Sequence, residues 1–244
     1  FARAMNLQLA LFHDCQPSKY RTHELAAIAA LWSRCYLQLQ DALLLLSRGS
    51  YVSVVPMVKA TTELMAAQEG LRRGEMPEHH DWLASALKPD ETFKALNFEL
   101  GGYFAGGVLA SDEVLGAVYR ASSDFARPAF GATLLQVAPE SNNQRLAIAF
   151  ADGSFHLGWA ELLLGWLLAL AARQVRVIID ADAIFPVSDE RRAEYEALQR
   201  DIDALLIGTA ERCRVEEVRD GSDRRYLLHD FRRNGSGAPK KILL

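Results

Sequence analysis

From residue 22 to residue 48 the chain keeps apolar side chains on one helical face with no glycine or proline to break it. Leu25, Ile28, Ala29, Trp32, Tyr36, Leu39, Leu43 and Leu46 recur at the spacing of a helix. Gly49 then stands where a left-handed residue ends a helix. Ser50 opens a second period at once, through Tyr51, Val54, Val58, Thr61, Met65 and Gln68, as far as Gly74. A gap of one or two residues forces the two helices to turn back and pack antiparallel. This hairpin predicts a helical bundle, and Pro56, about one turn into its second helix, predicts a kink there.

The rest of the chain is read on the same signals. Residues 1–15 suit a helix through Met5, Leu9 and Phe12, stopped by Pro17. Pro77 can open a short helix to Leu87, and Asp90 can cap another through Phe93, Leu96 and Leu100. The Gly101-Gly102 and Gly106-Gly107 pairs interrupt that run and mark a bend. Ser111-Asp112-Glu113 is a helix start, a capping residue followed by acids at the positive end of the dipole. That helix carries Leu115, Val118, Tyr119 and Phe125 and ends at Pro128. Residues 133–138 and 145–150 read as strands across a turn-rich Pro139–Asn143 segment. Residues 157 to about 184 return to helix, apolar on most sides, and Ser188 caps a last one. Residues 213–218 and 224–231 read as strands joined at Asp220-Gly221-Ser222-Asp223. The expected fold is mainly α: a multi-helix bundle over residues 1–208, with a small β-hairpin insert near 133–150. Residues 209–244 are expected to form a basic C-terminal β-hairpin and tail.

A net charge of −4 argues against a nucleic-acid binder driven by bulk charge. The charge is uneven, however. Between residues 211 and 241 there are nine Lys/Arg and six Asp/Glu, so this stretch is +3 and the remainder −7. Cys15, Cys35 and Cys213 are far apart and form no CxxC, which favours reduced packing thiols and a cytoplasmic location. The most apolar stretch, residues 162–172, is 11 residues long. A bilayer span takes about 20, so it reads as a buried helix and no membrane is expected. The chain opens on Phe1 and not on methionine, which leaves open whether a segment precedes it, and no charged-then-apolar signal peptide is visible at its start.

Two polar constellations stand out. Lys59 and Glu63, four apart on the second helix of the hairpin, are either a charge pair facing a cleft or an i, i+4 ion pair. Arg120, Asp124 and Arg127 share one helical face, with Arg127 at the helix end before Pro128. Two guanidiniums there can hold a phosphate or carboxylate. Alternatively Arg127 satisfies the last carbonyls and Arg120–Asp124 is a surface pair. His79-His80-Asp81 and His13-Asp14-Cys15 are adjacent residues that point about 100° apart on a helix and do not share an ion easily, so no metal is expected. No GxSxG, P-loop or Rossmann spacing occurs, and no cofactor is implied.

The run from Arg48 to Leu64, RGSYVSVVPMVKATTEL, resembles part of the HEPN-like helical families of bacteria. There a helical hairpin leads into an arginine, three residues and a glutamate. Lys59 stands for that arginine and Glu63 keeps the acid. Residues 119–128, YRASSDFARP, resemble the family segment in which a helix ends in a histidine before a hairpin and a further long helix. The order of elements from residue 22 to 185 agrees. Catalytic members of that superfamily cut RNA with an arginine, four to six residues, and a histidine. Arg120 has the right separation, but the histidine position is Arg127, which stays protonated and cannot act as a general base. The resemblance therefore implies a non-catalytic or weakly catalytic protein whose partners are RNA, a nucleotide or another protein. The alternatives are a small-molecule enzyme with Glu63, Arg120 and Asp124 around a pocket in the bundle, or a homo-oligomeric scaffold.

Overall fold

The turn at Gly49 closes as its sequence demands. Helix α2 (His23–Ser47) ends in a pair of reversed hydrogen bonds, Gly49 N–H to the Leu46 carbonyl and Ser50 N–H to the Leu45 carbonyl, both 3.0 Å. Gly49 has φ +74°, and a Cβ there would lie 2.5 Å from the Gly153 carbonyl oxygen. Only glycine supplies both the left-handed backbone and the close approach. Helix α3 (Tyr51–Arg72) runs back along α2, and Pro56 is accommodated within it without ending the helix. The computed structural model describes residues 1–15, 23–76, 105–142, 144–207, 212–232 and 241–244. The helices expected at 77–87 and 90–100, and the Gly101-Gly102 pair, lie outside the described residues.

Around this hairpin stand α1 (Ala2–Asp14), α4 (Gly106–Ser111), α5 (Glu113–Ala126), α6 (Phe130–Val137), α7 (Leu157–Ile179) and α8 (Asp189–Ile207). The chain ends in a three-stranded antiparallel sheet of order β1 (Arg214–Asp220), β2 (Asp223–His229) and β3 (Lys241–Leu243). The fold is thus mainly helical with a small C-terminal sheet, as expected. Helix α7 is the core: it packs on α1, α2, α3, α5, α8 and β1. It is longer than the apolar run that suggested it, and long and apolar enough to cross a bilayer. However, 67% of its most apolar window is buried inside the protein.

Several polar groups that α7 brings inside find partners, while among the described residues Arg173 Nη1, Gln174 Oε1 and the facing Gln68 Nε2 are buried without one. The buried Gln8 donates to the Ala171 carbonyl (3.2 Å) and accepts from Trp32 Nε1 (3.0 Å). Gln174 donates to Gln68 at 2.8 Å, both fully buried. Trp159 Nε1 donates to the Leu135 carbonyl at 3.1 Å. Such bonds contribute little when made but cost about 1–3 kcal/mol when one side is left unpaired.

Two readings of the sequence are corrected. Residues 133–137 are not a strand: they belong to α6, whose Ala132 and Leu135 are buried three residues apart, a helical spacing that outweighs the β-branched Thr133 and Val137. The expected hairpin insert near 133–150 therefore has no first arm. Its second arm forms no strand: Arg145 makes an isolated bridge with Asn142, and the Ala149 N–H bonds to the Val137 carbonyl at 3.0 Å. Gly106 and Gly107, expected in a bend, form the first turn of α4. In the C-terminal hairpin the anticipated turn stands, and β3 joins it as a third strand that local patterning did not mark.

The end of α3 holds a buried carboxylate. Glu69, 2% exposed in its side chain, accepts from Arg72 and from Arg73 Nε (2.8 Å), while Arg72 also donates to the Asp180 carbonyl beyond α7. Burial alone would raise the Glu69 pKa, but the two arginines outweigh it and hold it below the usual 4.5. A value lower in the folded than in the unfolded state adds stability above about pH 4.5 and loses it as pH falls through the folded value. Glu69→Gln is expected to cost roughly 2–4 kcal/mol at neutral pH. Urea unfolding at successively lower pH should show the deficit shrinking in acid; a deficit that stays constant would mean that the charge is not what stabilises.

Candidate functional site

Helix α5 positions the candidate site, and its placement begins at Asp112. The Asp112 side chain accepts from the Leu115 N–H at 2.9 Å, capping the helix, and pairs with Arg173 of α7 at 2.7 Å. At the other end Pro128 stops the helix after Ala126, leaving Arg127 extended, and Gln136 of α6 donates to the Phe125 carbonyl. Between these anchors α5 buries Leu115, Val118, Ala121 and Phe125 and turns Arg120 and Asp124 toward the β1–β2 hairpin.

The hairpin supplies the other half. Its two-residue turn fixes the register, with Glu217 opposite Tyr226 and Arg219 opposite Arg224. These four side chains therefore share one face. Arg120 Nε donates to Glu217 at 2.7 Å. The Tyr226 hydroxyl donates to Asp124 Oδ2 at 2.7 Å, and Arg224 reaches the same oxygen at 3.4 Å. Arg127 pairs with Asp124 Oδ1 at 3.1 Å and is 71% exposed. Arg219 and Arg224 lie 3.7 and 3.8 Å from Glu217. The Phe125 ring meets Tyr226 edge-on at 5.4 Å and also packs on Trp159 and Trp166.

Beside this network is a groove of about 400 Å³, lined by Asp124, Phe125, Arg127, Ala129, Gly131, Ala132, Arg224, Tyr226 and Leu244. Charge sits along its rim and aromatic and aliphatic carbon forms its floor. Burial and the Asp124 carboxylate push the Tyr226 phenol well above its ordinary value, so it is neutral and donates. Burial would raise Glu217, but Arg120 with Arg224 and Arg219 draws it below the usual carboxylate range.

Of the residues singled out from sequence, Arg120, Asp124 and Arg127 meet here, but not as a triad. Asp124 pairs with Arg127, while Arg120 turns away to Glu217. Lys59 and Glu63 form the i, i+4 pair, 3.0 Å apart and half-buried, with the Lys59 ammonium 6.0 Å from the Tyr119 ring. No described hydrogen bond or ion pair joins Glu63 to Arg120 or Asp124, so the pocket postulated for a bundle-interior enzyme lacks its convergence. Glu217, Arg219 and Arg224 were not singled out. The hairpin register, legible from Asp220-Gly221-Ser222-Asp223, places them on one face with Tyr226.

A second cluster has the composition of a nucleophilic triad. His156 Nε2 lies 2.8 Å from Asp152 and 3.4 Å from Ser154 Oγ, which itself donates to Asp152. A triad holds acid and nucleophile on opposite ring nitrogens; here both share one, and the group closes the loop before α7. Hydrogen bonds from Ser154, then His156, draw Asp152 down to about 2. Among the described residues no group of three or more His, Cys, Asp and Glu is placed to hold a metal. His79-His80-Asp81 lies outside them.

The contacts divide into framework and rim. Tyr226→Phe removes a buried hydrogen bond to a carboxylate and is expected to cost about 1.5–3 kcal/mol in urea unfolding. Arg127→Ala removes an exposed pair and should stay within about 0.5 kcal/mol of wild type. Equal effects would contradict the division.

Compared with family models, curated proteins and solved structures, the chain matches none.

Proposed function

We propose that this chain is a non-catalytic, HEPN-like helical protein that binds the phosphates of RNA or of a nucleotide in the groove between α5 and the C-terminal hairpin. The observation that carries this reading is a local charge excess. Four guanidiniums (Arg120, Arg127, Arg219 and Arg224) surround two carboxylates, Asp124 and Glu217, leaving two positive charges unbalanced in a protein that is acidic as a whole. Arginine suits phosphate through its planar fork of donors. The Phe125 and Tyr226 floor beside it suits a base or ribose.

The same geometry argues against cleavage. No histidine lines the groove. The Arg127 guanidinium is a donor with no acceptor atom, and the Tyr226 phenol is held neutral, so neither takes a proton from a ribose hydroxyl. The thiols are equally unsuited: burial holds Cys15 up at about 11 and Cys213 at about 12. Reduced, buried cysteines fit a cytoplasmic protein.

The test is a titration of labelled single-stranded RNA at several salt concentrations. Affinity is expected to fall as salt rises, with a log–log slope of about −0.7 per phosphate contacted. Arg127→Ala combined with Arg224→Ala should flatten that slope by about 1.4, and the RNA should be recovered intact. Absence of saturable binding at low salt, or a double variant that titrates like wild type, would sink the reading. Cleaved RNA would contradict its non-catalytic part.

A further inference from the structure

Helices α7 and α8 do not close fully on each other. Between them lies a slot of about 280 Å³ with an apolar floor and charge along its edge. From α7 come Ala169, Ala172, Arg173 and Arg176, spaced i, i+3, i+4 and i+7 and so on one face. The facing stripe of α8 gives Tyr195, Gln199, Ile202 and Asp203. In a helix otherwise rich in leucine, the two alanines leave the space that longer side chains would fill.

The polar groups round the slot are linked in a chain with two loose ends. Arg176 is held by Asp180 at 2.9 Å and also reaches the Tyr195 hydroxyl. That hydroxyl donates to Gln199 Oε1 at 3.1 Å, and Gln199 Nε2 donates to Asp203 at 2.7 Å. Arg173 is fixed by Asp112 at 2.7 Å through Nε and Nη2. Its Nη1 is left over, buried and without an acceptor among the described residues. Across the slot the exposed Asp203 carboxylate has no described cationic partner. A buried charged donor without an acceptor is costly, and such groups mark places where something else is bound.

We propose that this slot binds a small zwitterion, a free amino acid with an aliphatic side chain. Its carboxylate takes the spare donors of Arg173 and Arg176, its ammonium pairs with Asp203, and its side chain lies on Ala169, Ala172 and Ile202. Ions of one sign fit less well. A bare anion meets Asp112, Asp180 and Asp203 around the two guanidiniums. A bare amine satisfies Asp203 but leaves Arg173 Nη1 without an acceptor. The volume suits a ligand smaller than a drug molecule. Both guanidiniums are already held by aspartates, so little ordering is lost on binding. The slot shares no lining residue with the α5 groove, and the inference is independent of what that groove binds.

Calorimetric titration with L-leucine tests the proposal, beside 3-methylbutylamine, which lacks the carboxylate, and 4-methylpentanoate, which lacks the ammonium. L-Leucine is expected to saturate the protein at millimolar concentration or below, and each analogue to bind about ten-fold more weakly. Asp203→Asn, at an exposed position, should bring L-leucine down to the affinity of 4-methylpentanoate with circular dichroism unchanged. Ala169→Leu fills the slot from its floor and should abolish binding of all three; if that variant fails to fold, Asp203→Asn decides alone. The proposal is overturned by a wild type that L-leucine does not saturate, or by analogues that bind as well as the amino acid. Binding of L-leucine that is unchanged in Asp203→Asn, or that survives in a folded Ala169→Leu, places the ligand elsewhere and overturns it too.

Discussion

A helix of 23 residues with 15 of them buried needs cover on nearly every side, and supplying that cover for α7 dictates where the other elements go. Each large apolar side chain removed from water contributes roughly 1.5–3 kcal/mol, so no arrangement that leaves one side of α7 bare competes. Helices α1, α2, α3, α5 and α8 take most of the circumference. The remaining gap, over Gly158 and Trp159, is filled by Phe231 at the end of the C-terminal hairpin. A Cβ on Gly158 would come within 2.7 Å of the Phe231 ring. The hairpin is thus part of the core, and its position on α5 follows from that packing.

Apolar burial is non-directional and would tolerate α7 sliding along its neighbours. The polar groups it carries do not. Gln174 must meet Gln68, the Ala171 carbonyl must meet Gln8, and Arg173 must meet Asp112. A shift of one residue would leave several of these buried and unpaired at once. Asp112 shows how such constraints connect. One carboxylate caps α5 and receives Arg173 from α7, so the register of the core helix is carried directly to the helix that presents Arg120 and Asp124.

How much of this was written locally can be argued residue by residue. The Gly49 turn and the stop at Pro128 depend on backbone conformations that particular residue types favour, and they were legible; the start of α5 was legible to within a residue, since Asp112 and not Ser111 supplies the cap. The β1–β2 register was legible too, because a two-residue turn leaves one pairing. Residues 133–137 were misread because Thr133 and Val137 suit a strand, whereas the choice was made by burial of Ala132 and Leu135, a tertiary effect. Residues 145–150 do alternate, as a strand should, but their apolar face points to solvent, which no local pattern reveals. The partners of Arg120 and Asp124 were illegible for the same reason. Glu217 and Tyr226 lie about 100 positions away, and only the packing of Phe231 on α7 brings their strands to α5.

The charge network beside the groove is graded in a way that bears on what it can do. Asp124 accepts at 2.7 Å from a buried tyrosine, and Glu217 accepts at 2.7 Å from Arg120, so these contacts form a frame that holds the hairpin on α5. Arg127 is different. It is 71% exposed and bound to Asp124 by a pair of the kind that contributes only about 0–1 kcal/mol in water. Releasing it toward an arriving anion costs little, and Asp124 keeps Tyr226 and Arg224 when it goes. On the reading proposed above, the groove would exchange one weak internal pair for a charge-assisted contact to phosphate without loosening the frame that shapes it. That asymmetry suits reversible, salt-sensitive binding better than proton transfer, which would need a group able to change its charge near neutral pH.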